Sequence, residues 1–316
     1  MVPVDHAEFR PSTMVAAVKA LRAPFLAASV LPFCAGFALA PGAAQYNLFW
    51  LGLLAVACTH LSANLINDYA DTRSGVDTRD PVRYGLFGGS KLIHTGELSV
   101  AFFFNGATLF AVIAAGAVAA LSMTTGRADI LVYLAGILAL AWMYSCAPLK
   151  LSYRHCGEPV VFLLFGPAVV MGGYSLRTGA FPAPESALLA IPFGLLTTLL
   201  LVANEIPDHP EDSLGGKRNW IDWTGPSRAW LLYAVLALLV MVSVTACVVA
   251  GVLGPRLYLA LAAAIPALWH ATRLLRRHFD SKHHCLQASK LTLGAQLLIA
   301  LVIILDIALW QPNPQF

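Results

Sequence analysis

Charged residues are scarce in this sequence. Only 12% of its 316 residues are Asp, Glu, Lys or Arg, whereas 58% are hydrophobic. A typical soluble domain carries about 25% charged residues, so there is too little charge here to cover a globule of this size in water. The shortage excludes a soluble enzyme and a disordered chain, and the apolar excess indicates a protein that crosses a membrane several times.

Cysteine motifs and a large net charge are missing as well. The six cysteines are scattered, and none forms a Cys-x-x-Cys pair, so the sequence indicates neither a disulfide framework nor a zinc site. The formal net charge is only +3, which is too small to indicate a nucleic-acid partner.

Long hydrophobic runs, by contrast, fill most of the chain. A helix needs about 20 mostly apolar residues to cross a bilayer, and nine segments of the sequence meet this requirement. We therefore predict an all-α membrane protein with nine transmembrane helices in a single domain over residues 1–316. The predicted spans are about 24–41, 47–66, 99–122, 129–146, 158–176, 186–203, 229–252, 256–272 and 291–310.

The charges that are present lie mostly on one side of this arrangement. With the N-terminus in the cytoplasm, 17 of the 20 Lys and Arg residues fall in cytoplasmic segments, as the positive-inside rule requires. Two of these segments, 67–98 and 204–228, also hold 10 of the 17 acidic residues. We therefore predict a multi-pass protein of the inner (cytoplasmic) membrane, with its C-terminus on the opposite side and its functional mouth on the cytoplasmic face.

The first acidic cluster begins where the second predicted span ends. It contains Asn64, Asn67, Asp68 and Asp71, and Asp77 follows. At 100° per residue, Asn64, Asp68 and Asp71 share one face of a helix. An amide and two carboxylates are therefore expected to project from this helix end toward one place.

The second cluster begins where the sixth span ends. It contains Asn204, Asp208 and Asp212, which also share one helical face, although Pro207 between them is expected to bend or break a helix. Carboxylates crowded in this way repel each other unless a cation lies among them. Mg²⁺ prefers a few carboxylates, waters and substrate phosphates, so two facing clusters predict Mg²⁺ bound to a diphosphate.

These residues resemble the two signature motifs of the UbiA-type intramembrane prenyltransferases. Residues 67–77 match the NDYxDxxxGxD pattern of the 1,4-dihydroxy-2-naphthoate polyprenyltransferases of menaquinone synthesis, and residues 204–218 match NExxDxxxDxxxGKR. The resemblance covers about residues 15–310. Further matches in the same order are Gly88-Gly89-Ser90, Tyr144 with Pro148, and Gly157-Glu158.

The resemblance implies a UbiA-type helical bundle, the cofactor Mg²⁺, and transfer of a polyprenyl group from its diphosphate to a small aromatic acceptor. Dihydroxynaphthoate, which loses its carboxyl group to give demethylmenaquinone, is the acceptor implied by the closest branch. The implied metal ligands are Asp68, Asp71, Asp208 and Asp212, with Asp77 as a further candidate. The candidate substrate-binding residues are Asn64, Asn67, Lys91, Lys150, Arg154, Asn204 and Lys217, and Tyr144 is the candidate that stabilises the allylic cation.

Other acceptors remain open: 4-hydroxybenzoate, homogentisate, a porphyrin, haem or glycerol phosphate. A membrane transporter is a more distant alternative, although transporters usually hold their charges near the bilayer midplane. Two polar residues inside predicted spans are interpreted as structural. Asp306 is expected to lie at the interface or in a helix-packing hydrogen bond, and His60 to be packed and hydrogen-bonded, whereas the role of Glu158 is left open, as are Arg22 and Arg83.

Overall fold

The computed structural model describes residues 13–43, 45–76 and 82–309. Helices joined by turns and loops make up this part of the chain, which contains no strand. The predicted all-α class is therefore confirmed for the described residues. The helices are α1 (Thr13–Ala20), α2 (Ala27–Leu39), α3 (Tyr46–Ser74), α4 (Val100–Thr125), α5 (Asp129–Met143), α6 (Gly157–Leu163), α7 (Val169–Thr178), α8 (Pro184–Leu214), α9 (Ile221–Thr224), α10 (Ala229–Val249), α11 (Leu257–His278) and α12 (Lys282–Leu309).

Eight candidate membrane spans occur among the described residues, as judged by helix length and hydropathy. One of them joins α1 to α2, and another joins α6 to α7 through a π-helical turn, Leu164–Ala168. The predicted fourth span corresponds to α5, whose 15 residues fall short of the roughly 20 that a bilayer requires. Each of the nine predicted apolar segments thus contains helix, but length and composition support eight crossings.

Two helices run well past the ends of their predicted spans. α3 continues to Ser74 and ends where Gly75 takes a left-handed conformation, with φ of 79°. α8 continues to Leu214 through both Pro207 and Pro210, so the expected break at Pro207 is wrong. Both acidic clusters therefore lie on the last turns of long helices, where helical spacing fixes the side of the helix that each carboxylate faces.

Close backbone contacts hold α2, α7 and α8 together. A Cβ atom on Gly36 would come within 2.0 Å of the Val170 carbonyl oxygen, and one on Gly166 would lie 2.5 Å from the Ala190 carbonyl oxygen. Small residues at helix contacts let backbones approach, and inside a membrane such packing replaces much of the hydrophobic driving force. These contacts fix the helices that surround the cavity described below.

The polar residues buried in the spans have structural partners. Asp306 accepts a hydrogen bond from the backbone N–H of Gly254 at 2.5 Å and lies 3.6 Å from the guanidinium of Arg256. It thereby ties α12 to the loop between α10 and α11. His60 Nδ1 lies 2.7 Å from the Ser29 hydroxyl. The interpretation of both residues as hydrogen-bonded packing residues agrees with these contacts.

Gly36→Ala is expected to destabilise the protein by about 1–3 kcal/mol, because the new methyl group overlaps the α7 backbone and forces the helices apart. Gly116→Ala in α4 is the matched control, since a Cβ there meets nothing within 4 Å. The measurement is the temperature at which half of the detergent-solubilised protein remains monodisperse. An equal shift for both variants would contradict the close packing of α2 on α7.

Candidate active site

A cavity of about 1080 Å³ lies between helices α2, α3, α5, α7 and α8. Apolar side chains such as Phe33, Leu134 and Leu200 line its middle. The acidic ends of α3 and α8 line one end, and Arg127 and Asp129 lie at the other. An apolar passage whose wall carries buried carboxylates and a lysine at one end suits an amphiphilic ligand, with a charged headgroup at that end and a hydrocarbon tail in the middle.

The acids of the first cluster are buried at the end of α3. Asp68 lies 3.4 Å from the Arg22 guanidinium. Asp71 accepts hydrogen bonds from the Lys217 ammonium at 2.7 Å and, more weakly, from the Tyr153 hydroxyl at 3.4 Å. Burial and the negative charge of Asp71 raise the pKa of Tyr153 to about 12, so its phenol stays protonated and able to donate at neutral pH.

The second cluster lies on the last three turns of α8. Asp208 Oδ2 accepts a 2.8 Å hydrogen bond from the backbone N–H of Gly88, whereas its Oδ1 and Oδ1 of Asn204 have no hydrogen-bond partner. Gly88 belongs to the loop that carries the Gly-Gly-Ser motif, and the cavity wall includes residues 86–89. This loop therefore closes over the polar end of the cavity.

Lys217 bridges the two clusters. Its ammonium nitrogen lies 2.7 Å from Asp71 Oδ2 and 3.6 Å from Asp212 Oδ1. Burial alone would lower the pKa of Lys217, but the negative charges of Asp212 and Asp71 outweigh burial and raise this pKa well above its usual value. A fixed positive charge therefore balances carboxylates contributed by both motifs.

The turn after α8 positions this lysine. Gly215 packs so closely on the end of α3 that a Cβ atom there would lie 2.2 Å from Val76 Cγ2. Gly216 follows with a φ of +85°, and the backbone N–H of Lys217 then bonds to the Asp212 carbonyl at 2.9 Å. The glycines of the second motif thus let the chain reverse and bring the lysine back over the carboxylates.

Most of the predicted site residues line the cavity. Tyr144, Asn64 and Asn67 are on its wall together with Asn204 and Lys217. Asn67 donates to the Ser145 hydroxyl at 2.6 Å, and Asn64 donates to the Leu21 carbonyl at 3.3 Å. The asparagines therefore connect the first cluster to the chain segments on either side of it.

Three of the predicted cations lie elsewhere. Lys91 is buried 3.9 Å from Glu211, Lys150 is exposed with its ammonium over the Tyr153 ring, and Arg154 is exposed. None of the three is on the cavity wall. Asp77 lies outside the described residues.

Two further groups at the site were not selected from the sequence. Arg22, whose role the sequence left open, is on the cavity wall beside Asp68. Glu205 is also on the wall, against Glu158. Both glutamates are part of the motifs quoted above, so the motif match was the signal that could have identified this pair.

The oxygen atoms at the mouth suit a divalent cation. No group of three or more His, Cys, Asp or Glu side chains within the described residues is close enough to hold a metal ion as it stands, and the ammonium of Lys217 contacts both Asp71 and Asp212. Hard carboxylate oxygens from two helices, one of them without any donor, are nevertheless the ligand type that Mg²⁺ and Ca²⁺ prefer.

The family model of the UbiA prenyltransferase family matches residues 29–307. The chain belongs to this family. It is 31% identical to the 1,4-dihydroxy-2-naphthoate octaprenyltransferase of Mycobacterium tuberculosis over 69% of this chain and 75% of that protein. It is 28% identical to the UbiA prenyltransferase domain-containing protein 1 of Gallus gallus over 70% of this chain, a match that spans 66% of the chicken protein.

Solved structures of UbiA homologues share the fold. The apo homologue from Aeropyrum pernix K1 superposes with a TM-score of 0.71 at 18% identity, covering 90% of this chain and 98% of that one. The homologue from Archaeoglobus fulgidus bound to DMAPP and Mg²⁺ gives a TM-score of 0.65 at 17% identity, covering 91% and 98%. The helical arrangement of this UbiA family member is therefore that of its structural relatives.

Lys217→Met is expected to lower stability by about 3 kcal/mol, because it leaves carboxylates of both motifs buried without their shared positive charge. Exposed Lys290 in α12 supplies the control, Lys290→Met. Thermal stability is measured in detergent with and without a divalent cation, which is expected to restore part of the loss. A loss of thermal stability in Lys217→Met no larger than that in Lys290→Met would contradict the role of Lys217 as the bridge between the two clusters.

Proposed function

We propose that the protein transfers a polyprenyl group from a polyprenyl diphosphate to an aromatic acceptor, with 1,4-dihydroxy-2-naphthoate as the acceptor and demethylmenaquinol, the reduced form of demethylmenaquinone, as the product after loss of CO₂. The observation that carries this proposal is the joining of two acidic motifs, through Lys217, at the polar end of a cavity lined by apolar side chains. Membership in the UbiA family supports transfer over transport.

The shape of the cavity fits the proposed donor. Its middle is apolar along most of the helix length, which suits a polyprenyl tail, and its mouth presents both cations and carboxylates to a diphosphate. The charge asymmetry of the sequence supports a mouth that faces the cytoplasm. The tail is thereby kept in hydrocarbon surroundings while the headgroup meets the charged ends of α3 and α8.

Mg²⁺ is the proposed cofactor. The homologue from Archaeoglobus fulgidus was crystallised with DMAPP and Mg²⁺, and Asp208 Oδ1 is a buried carboxylate oxygen without a donor, as a cation site requires. Asp68 and Asp71 on α3 and Asp208 and Asp212 on α8 would hold the metal. When bound, it neutralises the leaving diphosphate as a Lewis acid.

The protein groups at the mouth perform the remaining tasks. The ammonium of Lys217 and the guanidinium of Arg22 are placed to share the negative charge of the diphosphate. Tyr144 lies on the wall at the end of α5, where its ring can face the allylic carbon and stabilise positive charge there. The loop at Gly88 covers this end and excludes water, which would otherwise capture the allylic cation.

The names of two bacterial relatives favour dihydroxynaphthoate as the acceptor. The proteins from Mycobacterium tuberculosis and Bacillus subtilis that this chain resembles, at 31% and 26% identity, are both named 1,4-dihydroxy-2-naphthoate octaprenyltransferases. The vertebrate relatives carry a name that specifies no acceptor. Naphthoate is therefore the acceptor to test first, with 4-hydroxybenzoate as the comparison.

The test incubates membranes that contain the protein with a polyprenyl diphosphate, Mg²⁺ and either dihydroxynaphthoate or 4-hydroxybenzoate, and follows the products by mass spectrometry. We expect demethylmenaquinol with naphthoate, together with the demethylmenaquinone that air oxidation forms from it, and no product with EDTA. If only 4-hydroxybenzoate gave a product, it would replace dihydroxynaphthoate as the proposed acceptor. No product from either compound would contradict the proposed reaction.

Asp208→Asn is expected to lower kcat/KM by roughly 10²–10³, because it removes a charge that holds the cation at the leaving group. Asp280→Asn is the matched control, since Asp280 is exposed in the turn before α12. Initial rates are compared at saturating Mg²⁺ and over a Mg²⁺ titration. An unchanged Mg²⁺ dependence in Asp208→Asn would show that this residue is not a metal ligand.

A further inference from the structure

Two glutamates meet inside the bundle, one helical turn deeper than Asp208. Glu158 is the second residue of α6 and is 0% exposed, and Glu205 of α8 is 9% exposed. Their carboxyl groups are within hydrogen-bond reach of each other. This Glu158–Glu205 pair has no part in the binding of the donor described above.

The hydrogen bonds around the pair show how it is charged. Glu158 Oε1 accepts the backbone N–H of Trp220, and Oε2 of each glutamate is buried without a hydrogen-bond partner. Two buried carboxylates in contact cannot both be ionised, so they share one proton. Because the Trp220 N–H stabilises negative charge on Glu158, the proton resides on Glu205 and is donated to Glu158.

The position of the pair relates it to the acceptor rather than to the donor. Glu205 is on the cavity wall, whereas Glu158 lies behind it. Glu205 precedes Asp208 by one helical turn on α8 and is therefore farther from the mouth. Tyr144 and Asn219 line the same cavity. A ring that attacks the allylic carbon from this side would bring a hydroxyl group close to Glu205.

We propose that Glu205 takes the hydroxyl proton of the aromatic acceptor while passing its own proton to Glu158, so that the pair acts as a proton relay. This inference rests on the proposed function and adds the residues that activate the acceptor. Glu205 is the catalytic residue because it faces the substrate, and Glu158 acts through it as the positioning residue that receives the relayed proton.

The step balances. The acceptor O–H bond breaks, a ring carbon bonds to C1 of the prenyl group, and the C1–O bond breaks with its electron pair leaving on the diphosphate. The ring is then a ketone whose substituted carbon still carries its hydrogen or carboxylate. A hydrogen at that carbon leaves as a proton to water, whereas a carboxylate leaves as CO₂. In both cases the bonding electron pair returns to the ring and gives a phenolate, which takes back the proton that the pair holds.

The test compares Glu205→Gln and Glu158→Gln with Glu185→Gln. Each change keeps the side chain's size and hydrogen-bonding capacity but removes its ability to exchange a proton. Glu185 begins the same helix and accepts a hydrogen bond from Tyr174, away from the cavity wall, so its variant is the matched control. Binding of a polyprenyl diphosphate in the presence of Mg²⁺ is expected to be the same in all three variants and the wild type.

Prenylation of dihydroxynaphthoate is expected to fall by about 10²–10⁴-fold in Glu205→Gln and in Glu158→Gln. The same variants are then assayed with a ring-fluorinated naphthoate whose hydroxyl groups are more acidic. The deficit relative to wild type is expected to shrink at least about tenfold, because an acidic hydroxyl needs less help from a base. If the glutamates had only a structural role, the variants would lose the same factor in rate with dihydroxynaphthoate and with the fluorinated naphthoate.

The outcomes separate the relay from the reaction itself. An active wild type with variant deficits that are absent, or equal for the two acceptors, would overturn the relay and leave the proposed function standing. A wild type that binds the diphosphate but prenylates neither acceptor would overturn the proposed function and the relay with it. If Glu205→Gln does not fold, Glu158→Gln gives the same comparison, because either change breaks the proton path.

Discussion

The structure depends on compensating negative charge where two long helices end together. Carboxylates from α3 and α8 are buried at the mouth of an apolar cavity, and burying them without a cation would cost several kcal/mol per charge. The ammonium of Lys217 provides that cation by contacting Asp71 on one helix and Asp212 on the other. The close contact of Gly215 with Val76 and the turn at Gly216 return the chain toward α3, so that Lys217 reaches the carboxylates.

The apolar cavity beside these compensated carboxylates imposes a second constraint. The charged mouth is joined directly to a cavity of about 1080 Å³ lined mainly by apolar side chains, so the same ligand must tolerate both surroundings. Glycines at the contacts of α2, α7 and α8 let these backbones approach closely beside the cavity. A bound Mg²⁺ would be held by the carboxylates that Lys217 balances here, and it would leave the lysine to share the charge of a diphosphate.

Much of this arrangement could be predicted from the sequence. Hydropathy located every apolar helix, and the spacing of Asn64, Asp68 and Asp71 placed them correctly on one helical face. The extension of α8 through Pro207 could not be predicted, because local preference disfavours it and packing against α10 and α12 decides it. The sequence also could not show which groups the lysines contact. Lys91, Lys150 and Lys217 all lie in segments after predicted spans, and only the geometry of the turn after α8 brings Lys217 to the cavity.

The order of polar residues along α8 divides the work of the proposed reaction. From the mouth inward come Asp212, Asp208 and then Glu205, each about one helical turn from the next, and the helix is apolar beyond Asn204 as far as Thr198. Asp212 lies 3.6 Å from the ammonium of Lys217, whereas Asp208 is bound on one oxygen by the Gly88 N–H and keeps its other oxygen without a donor, as a metal ligand would. Glu205 has another carboxyl group as its neighbour instead, so it holds a proton. One helix thus presents charge to the leaving group and a transferable proton to the acceptor, a few ångströms apart along its axis.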